Sequence, residues 1–219
     1  VAVWIGFGSL AKAVRQFVPR EKKIRVYSRT KQDLSNYENT EWCSPESFHK
    51  ETTFVLFLPK QGIRSFMEDF NDTFSKGTTF YYTATGMMKK DIDSLLPPGT
   101  KVVPWKWVTQ ADELARSGKA LAVTESEEEA ARLGELFGKK IRTLAGKEED
   151  VLTVNKTVTK AAIETAIRLR RELDAQGIDR EIIEHAVRQI IPGVIRAYQD
   201  GKLGGFGKQA AKELENDET

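Results

Sequence analysis

Three small residues near the start could do chemistry without a reactive side chain. Gly6, Gly8 and Ala11 stand in a Gly-x-Gly-x-x-Ala spacing, just after the apolar run 1–5 and just before a helical pattern. The first glycine permits a tight turn off a strand, the second lets the backbone approach a pyrophosphate, and a small third residue lets the helix pack on the sheet. The N–H groups and positive end of that helix would then face the anion. Strand, glycine turn and helix in that order open a dinucleotide-binding unit. Gly6, Phe7, Gly8, Ser9 and Leu10 are therefore expected to contact a cofactor; a tight turn that binds nothing is the plain alternative.

Two further stretches suit the same ligand. Ser28, Arg29 and Thr30 follow a strand pattern, 23–27, about 20 residues past Gly8, where an NAD enzyme of this type would carry a carboxylate on the ribose hydroxyls. A guanidinium there can fork onto a 2′-phosphate and stack on adenine. That favours NADP(H) over NAD, with a solvated basic turn as the alternative. Leu58, Pro59 and Lys60 end the apolar run 52–58. They are expected on the nicotinamide side, where Lys60 could reach a phosphate or an anionic substrate or simply face solvent.

Elements that would position these groups can be read along the chain. The run 52–58 is apolar without alternation, as in a central parallel strand covered on both faces. Further strands are expected at 77–83, 101–104, 119–124 and 140–144. Ser126 and Glu129 are spaced as a capping box, opening a helix that stops at Gly138. Between 104 and 110, Trp105, Lys106 and Trp107 could wall a pocket, with Lys106 holding a carboxylate, or could be core. After Gly146 the strand pattern ceases. A long helix is expected over 150–175, a second from Asp179 with Pro192 inside it, and a short one over 208–215 after a glycine-rich link. The fold class is thus α/β: an N-terminal Rossmann-like doubly wound sheet, 1–146, and a C-terminal all-helical domain, 147–219. The apolar surface of the second helix is broader than one neighbour would cover, which points to a subunit partner.

Composition narrows the class. The 219 residues carry a net charge of only +2, with acids and bases interspersed, so neither nucleic acid nor a membrane surface is the expected partner. Cys43 is the single cysteine, which excludes an intrachain disulfide and fits a reducing, cytoplasmic setting. The apolar start lacks the basic flank of a signal peptide, and because the chain opens on Val1 its natural start is expected slightly upstream. His49 and His185 read as structural, and no metal-ligand spacing is seen.

The stretches 6–11, 27–30, 58–61, 83–86 and 204–215 together resemble the pyrroline-5-carboxylate reductase family, and more closely its late-competence-protein-like branch. The resemblance implies an NADP-binding Rossmann domain, a homodimer through interleaved C-terminal helices, and a small-molecule substrate between cofactor and helices. The departures are informative. The family's Ser-Gly-x-Gly-Pro-Ala stretch corresponds to 155–160, which here holds neither glycine nor proline. The family's active-site threonine falls near Glu164 and Thr165. The cofactor half is kept and the substrate half rewritten, so proline formation is not expected.

The leading expectation is an NADPH-dependent oxidoreductase acting on a small imine or carbonyl compound. Hydride transfer needs a cation for any substrate carboxylate and a proton donor. Lys156, Thr157 and Thr165 are the candidates on the first long helix, beside Asn155 and Lys160. The corresponding lysine and asparagine serve in β-hydroxyacid dehydrogenases, although Lys156 and Lys160, one turn apart, also fit a solvated basic stripe. Two alternatives stay open: a non-catalytic NADP-binding homologue, and a β-hydroxyacid-type dehydrogenase.

Overall fold

The computed structural model describes residues 1–217 and divides them into two compact units, one from Val1 to Lys156 and one from Thr157 onward. The first unit is built on a six-stranded parallel sheet. Its strands are β1 (Ala2–Ile5), β2 (Ile24–Tyr27), β3 (Thr40–Trp42), β4 (Thr53–Leu56), β5 (Thr79–Tyr82) and β6 (Lys101–Pro104), in the order β3-β2-β1-β4-β5-β6. This is the doubly wound α/β arrangement read from the sequence.

Alternate residues of each central strand enter different cores. Ala2 and Trp4 of β1 join one cluster with Val55 and Tyr81; Val3 and Ile5 join another with Phe54, Leu56 and Phe80. Both faces are covered, which is why β1, β4 and β5 are buried at every position. Helices α1 (Ser9–Arg15), α4 (Ala111–Ser117) and α5 (Glu127–Phe137) supply the first cluster with Ala11, Val14, Leu114, Leu133 and Phe137. Helices α2 (Lys60–Phe70) and α3 (Lys89–Asp93) supply the second with Ile63, Phe66, Met67 and Ile92.

A second sheet follows: β7 (Lys106–Trp107), β8 (Ala120–Thr124) and β9 (Ile141–Ala145), with β7 antiparallel and β9 parallel to β8. Trp105 stacks on Phe137 at 4.9 Å and meets Trp107 at 4.9 Å, and all three are buried. The tryptophans are therefore core residues. β3 was not foreseen, because Thr40, Glu41 and Trp42 are too few and too polar to show a period. The two-residue β7 escaped notice for the same reason.

The expected capping box is half made. Ser126 Oγ accepts from the Glu129 N–H at 3.2 Å, but the Glu129 carboxylate is used elsewhere. It accepts from the Tyr81 hydroxyl at 2.9 Å and from Lys101, and so pins α5 to the sheet. The helix ends at Gly138, whose φ is +92°; a Cβ there would lie 2.5 Å from Pro19 Cδ.

Helix α6 (Glu148–Asp174) begins in the first unit and runs into the second. Its first turns are tied down by buried Val151 and by Asn155, whose side-chain amide donates to the Trp107 carbonyl at 3.0 Å. The second unit continues with α7 (Arg180–Gln199) and α8 (Gly205–Asp217). Asp179 caps α7 by accepting from the Glu181 N–H, and Arg170 forks onto Glu184 at 2.8 and 2.9 Å to join α6 and α7. Helix α8 starts three residues earlier than expected, at Gly205, so the glycine-rich link is shorter than its composition suggested. Among the described residues no helix is long and apolar enough to cross a membrane.

Candidate functional site

The chain leaves β1 for α1 on one side and returns through β4 on the other, so the strand order reverses between β1 and β4. In open α/β sheets a crevice forms at that point, beyond the carboxyl ends of the strands. A cleft of about 530 Å³ lies there, lined by Gly6, Phe7 and Gly8, by Tyr27 to Thr30 and Gln32, and by segments of 57–70. Its size falls within the range of about 300–1,000 Å³ usual for small-molecule sites.

The floor is backbone. Gly6 has φ +88° and donates its N–H to the Tyr27 carbonyl at 2.7 Å. A Cβ on Gly6 would sit 2.6 Å from the Phe57 carbonyl oxygen, so the turn requires glycine twice over, for conformation and for space. Gly8 is different: a Cβ there would meet nothing within 4 Å and would enter open space. Gly8 precedes α1 without offering a side-chain cap, which leaves the backbone of this turn accessible to a ligand. These features fit a pyrophosphate held against main chain.

The rim at the end of β2 is polar and cationic. Ser28 Oγ donates to the Thr30 carbonyl at 2.5 Å, which folds the loop at Arg29. Arg29 is exposed and makes no ion pair or side-chain hydrogen bond among the described residues. It is near enough to the Tyr27 hydroxyl to act on it: burial pushes that phenol up, Asp69 pushes it further, and Arg29 pulls it down. Leu58 and Pro59 line the opposite part of the cleft, where Pro59 precedes α2.

The sequence-derived cofactor residues are thus largely brought together. Gly6, Phe7, Gly8, Ser28, Arg29, Thr30, Leu58 and Pro59 line one cleft, whereas Ser9, Leu10 and Lys60 stand outside its lining. Leu10 packs on the core. Lys60 opens α2 and lies 3.7 Å from Asp91 of α3. One wall was read only at its first residue, Gln61 of the stretch 58–61. Gln61, Ser65 and Asp69 recur at four-residue steps along α2, opposite the apolar residues Ile63 and Met67. That spacing was a visible signal of a helix with one polar face.

None of the groups considered for catalysis is in the lining of this cleft. Lys156 is exposed on α6, and Thr157 and Thr165 belong to the second unit, whereas the cleft is lined by the first. Lys106 is fully buried. Its ammonium donates to the Ala84 carbonyl at 2.5 Å and the Met87 carbonyl at 2.6 Å, lies 3.8 Å over the Tyr82 ring, and stands 3.4 Å from Glu148. Burial pushes its pKa down to about 8, against the pull of Glu148. Glu148 also accepts from the Tyr82 hydroxyl and, at 2.8 Å, from the Lys89 N–H. Burial and that carboxylate together push the Tyr82 phenol well up. Lys106 therefore engages a carboxylate of the protein and clamps the turn after β5, with no face left for a substrate.

No family model matches the chain, and no curated protein matches it in sequence. Solved structures do match in fold. A pyrroline-5-carboxylate reductase from Coxiella burnetii superposes with a TM-score of 0.65 at 14% identity, covering 99% of this chain and 90% of that one. A pyrroline carboxylate reductase from Plasmodium falciparum with NADP bound gives 0.62 at 13% identity, over 99% and 90%. An imine reductase from Streptomyces aurantiacus gives 0.62 at 13% identity, over 93% and 80%. The chain shares the fold of these proteins.

Proposed function

We propose that this chain binds NADPH in the crevice between β1 and β4 and reduces a small imine or carbonyl compound, in the manner of a pyrroline-5-carboxylate or imine reductase but without forming proline. The observation that carries the reading is the β2 rim. Ser28, Arg29 and Thr30 face the cleft with the guanidinium unpaired, where an NAD enzyme would place a carboxylate. The NADP named in the Plasmodium structure supports it by analogy of fold.

In this proposal the Gly6 and Gly8 turn holds the pyrophosphate by main chain, and Arg29 forks onto the 2′-phosphate. Leu58 and Pro59 give the nicotinamide end an apolar wall that excludes water. When bound, a reduced nicotinamide supplies the hydride that the chain itself cannot. Lys156, Thr157 and Thr165 are proposed as the source of the proton and of carboxylate binding. Val158, Ile163, Ile195 and Phe206 leave apolar surface exposed on the helices after Lys156, and a second copy is proposed to cover it.

Fluorescence titration with NADPH and NADH tests the cofactor. A charged hydrogen bond contributes about 1.5–3 kcal/mol, so NADPH should bind roughly 10- to 100-fold more tightly, and Arg29→Ala should remove that margin. Tighter binding of NADH refutes the assignment. NADPH oxidation against a panel of cyclic imines and keto acids tests catalysis, and mass in solution tests the dimer.

The second reading, an NADP-binding homologue without catalysis, is favoured by one observation: Phe57, Leu58 and Pro59 present no acid or base to the nicotinamide end of the cleft. Silence across the substrate panel, with cofactor bound, selects it.

A further inference from the structure

Helix α2 turns a polar face to the cleft: Gln61, Ser65 and Asp69, four residues apart. The span from Gln61 to Asp69 is eight residues, about 12 Å of helix. Asp69 therefore stands far along the cleft from Pro59, at the end where Tyr27 and Arg29 lie. It is exposed, and among the described residues its carboxylate makes no ion pair or hydrogen bond. Asp69 and Arg29 both act on the Tyr27 hydroxyl, in opposite senses, yet are not paired with each other. Around them Tyr27, Phe66 and Phe70 line the cleft, with Tyr27 and Phe70 edge to face at 5.5 Å.

An aromatic wall, a free guanidinium plane and a free carboxylate thus meet at one end of the crevice. That combination suits a flat neutral ring that stacks on its faces and donates a hydrogen bond from one edge. We propose that Asp69 accepts a hydrogen bond from the exocyclic amino group of the adenine moiety and so selects adenine over 6-oxo purines, an assignment that rests on the dinucleotide reading above. The ribose corner is served by the other wall, Ser28 to Thr30, which leaves the base edge for α2. An ionised carboxylate only accepts hydrogen bonds. Set against a 6-oxo group it places acceptor against acceptor, and a site built around one hydrogen bond rejects the analogue that lacks it.

The test compares the Kd of NADPH with that of its 6-deamino analogue, in which hypoxanthine replaces adenine. The wild type should bind the analogue at least about tenfold more weakly. Asp69→Ala should bring the two within about threefold, and Asp69→Asn, whose amide can donate to a 6-oxo group, should bring the ratio to about one or reverse it. Asp69 is exposed, so these variants should fold. Equal binding of both dinucleotides by the wild type overturns the proposal, as does a ratio that survives Asp69→Ala. A gain in NADPH over NADH on Asp69→Asn also overturns it, because the carboxylate would then face the 2′-phosphate. If NADPH binds and the ratio is one, the base assignment alone falls. If NADPH does not bind, the dinucleotide reading falls and takes this assignment with it.

Discussion

Replacing Lys106 by methionine should produce a stability difference that depends on pH in a calculable direction. The lysine is fully buried, and its pKa is lowered from 10.5 to about 8. Between those values the unfolded chain carries a proton at this site that the folded chain has released. Stability therefore rises with pH through the window, and the cost of burying the charge is greatest below about pH 8. For pKa values of 8 and 10.5 the wild type should gain about 2 kcal/mol between pH ~7.5 and ~9.5 from this group. Methionine fills similar volume but donates nothing, so the Ala84 and Met87 carbonyls lose their donor, at about 1–3 kcal/mol each, and Glu148 loses its cation while keeping the Tyr82 hydroxyl and the Lys89 N–H. At pH ~7.5 the relieved charge burial offsets part of that loss, so the wild type's lead should be smallest there. At pH ~9.5 that lead should be about 2 kcal/mol larger. The tyrosines cancel, because Tyr81 and Tyr82 are held protonated in both folded forms. Urea unfolding of both proteins at several pH values reads the gap directly. A gap that stays constant, or narrows as pH rises, refutes the account of Lys106 as a charge buried at a cost.

Further variants separate folding from binding. Gly6→Ala should lose at least about 2 kcal/mol, from its positive φ and the clash with the Phe57 carbonyl, and should lose NADPH binding as well. Gly8→Ala meets no protein atom, so its stability should change by about 1 kcal/mol or less while NADPH binding collapses; retained binding would show that no phosphate approaches this backbone. Ser126→Ala should cost about 1 kcal/mol as the loss of a helix cap. Glu129→Ala should cost about 3 kcal/mol, because Tyr81 and Lys101 lose their acceptor. Equal costs at these two positions, in thermal or urea unfolding, would point instead to a closed capping box.

Much of the fold was legible because its signals are local. The unbroken apolar run at β4 marks a strand covered on both faces, and three- and four-residue periodicity marks α6 and α7. Gly6 announced the turn because its positive φ and its closeness to the Phe57 carbonyl require the absence of a side chain, which a sequence displays directly. Ser28, Arg29 and Thr30 were legible through their distance from that turn. Short elements were not: β3 and β7 have too few residues to carry a period, and their pairing with β2 and β8 forms them.

Other features depended on long-range contacts. The sequence offered Lys106 as a ligand for a substrate carboxylate; the fold gave it Glu148, 42 positions along the chain, and two carbonyls from the turn after β5. Glu129 had the spacing of a cap, but Tyr81 and Lys101 took its carboxylate because α5 lies against the sheet. Asp69 carried no signal of its own in the sequence; the fold of α2 brings it to the cleft, where it and Arg29 act on the Tyr27 hydroxyl in opposite senses. A sequence by itself determines backbone permissions and the period of hydrophobic burial, since both act within a few residues. Which charges are buried, and which are left facing a cleft, is decided by partners that only tertiary packing brings within hydrogen-bonding distance.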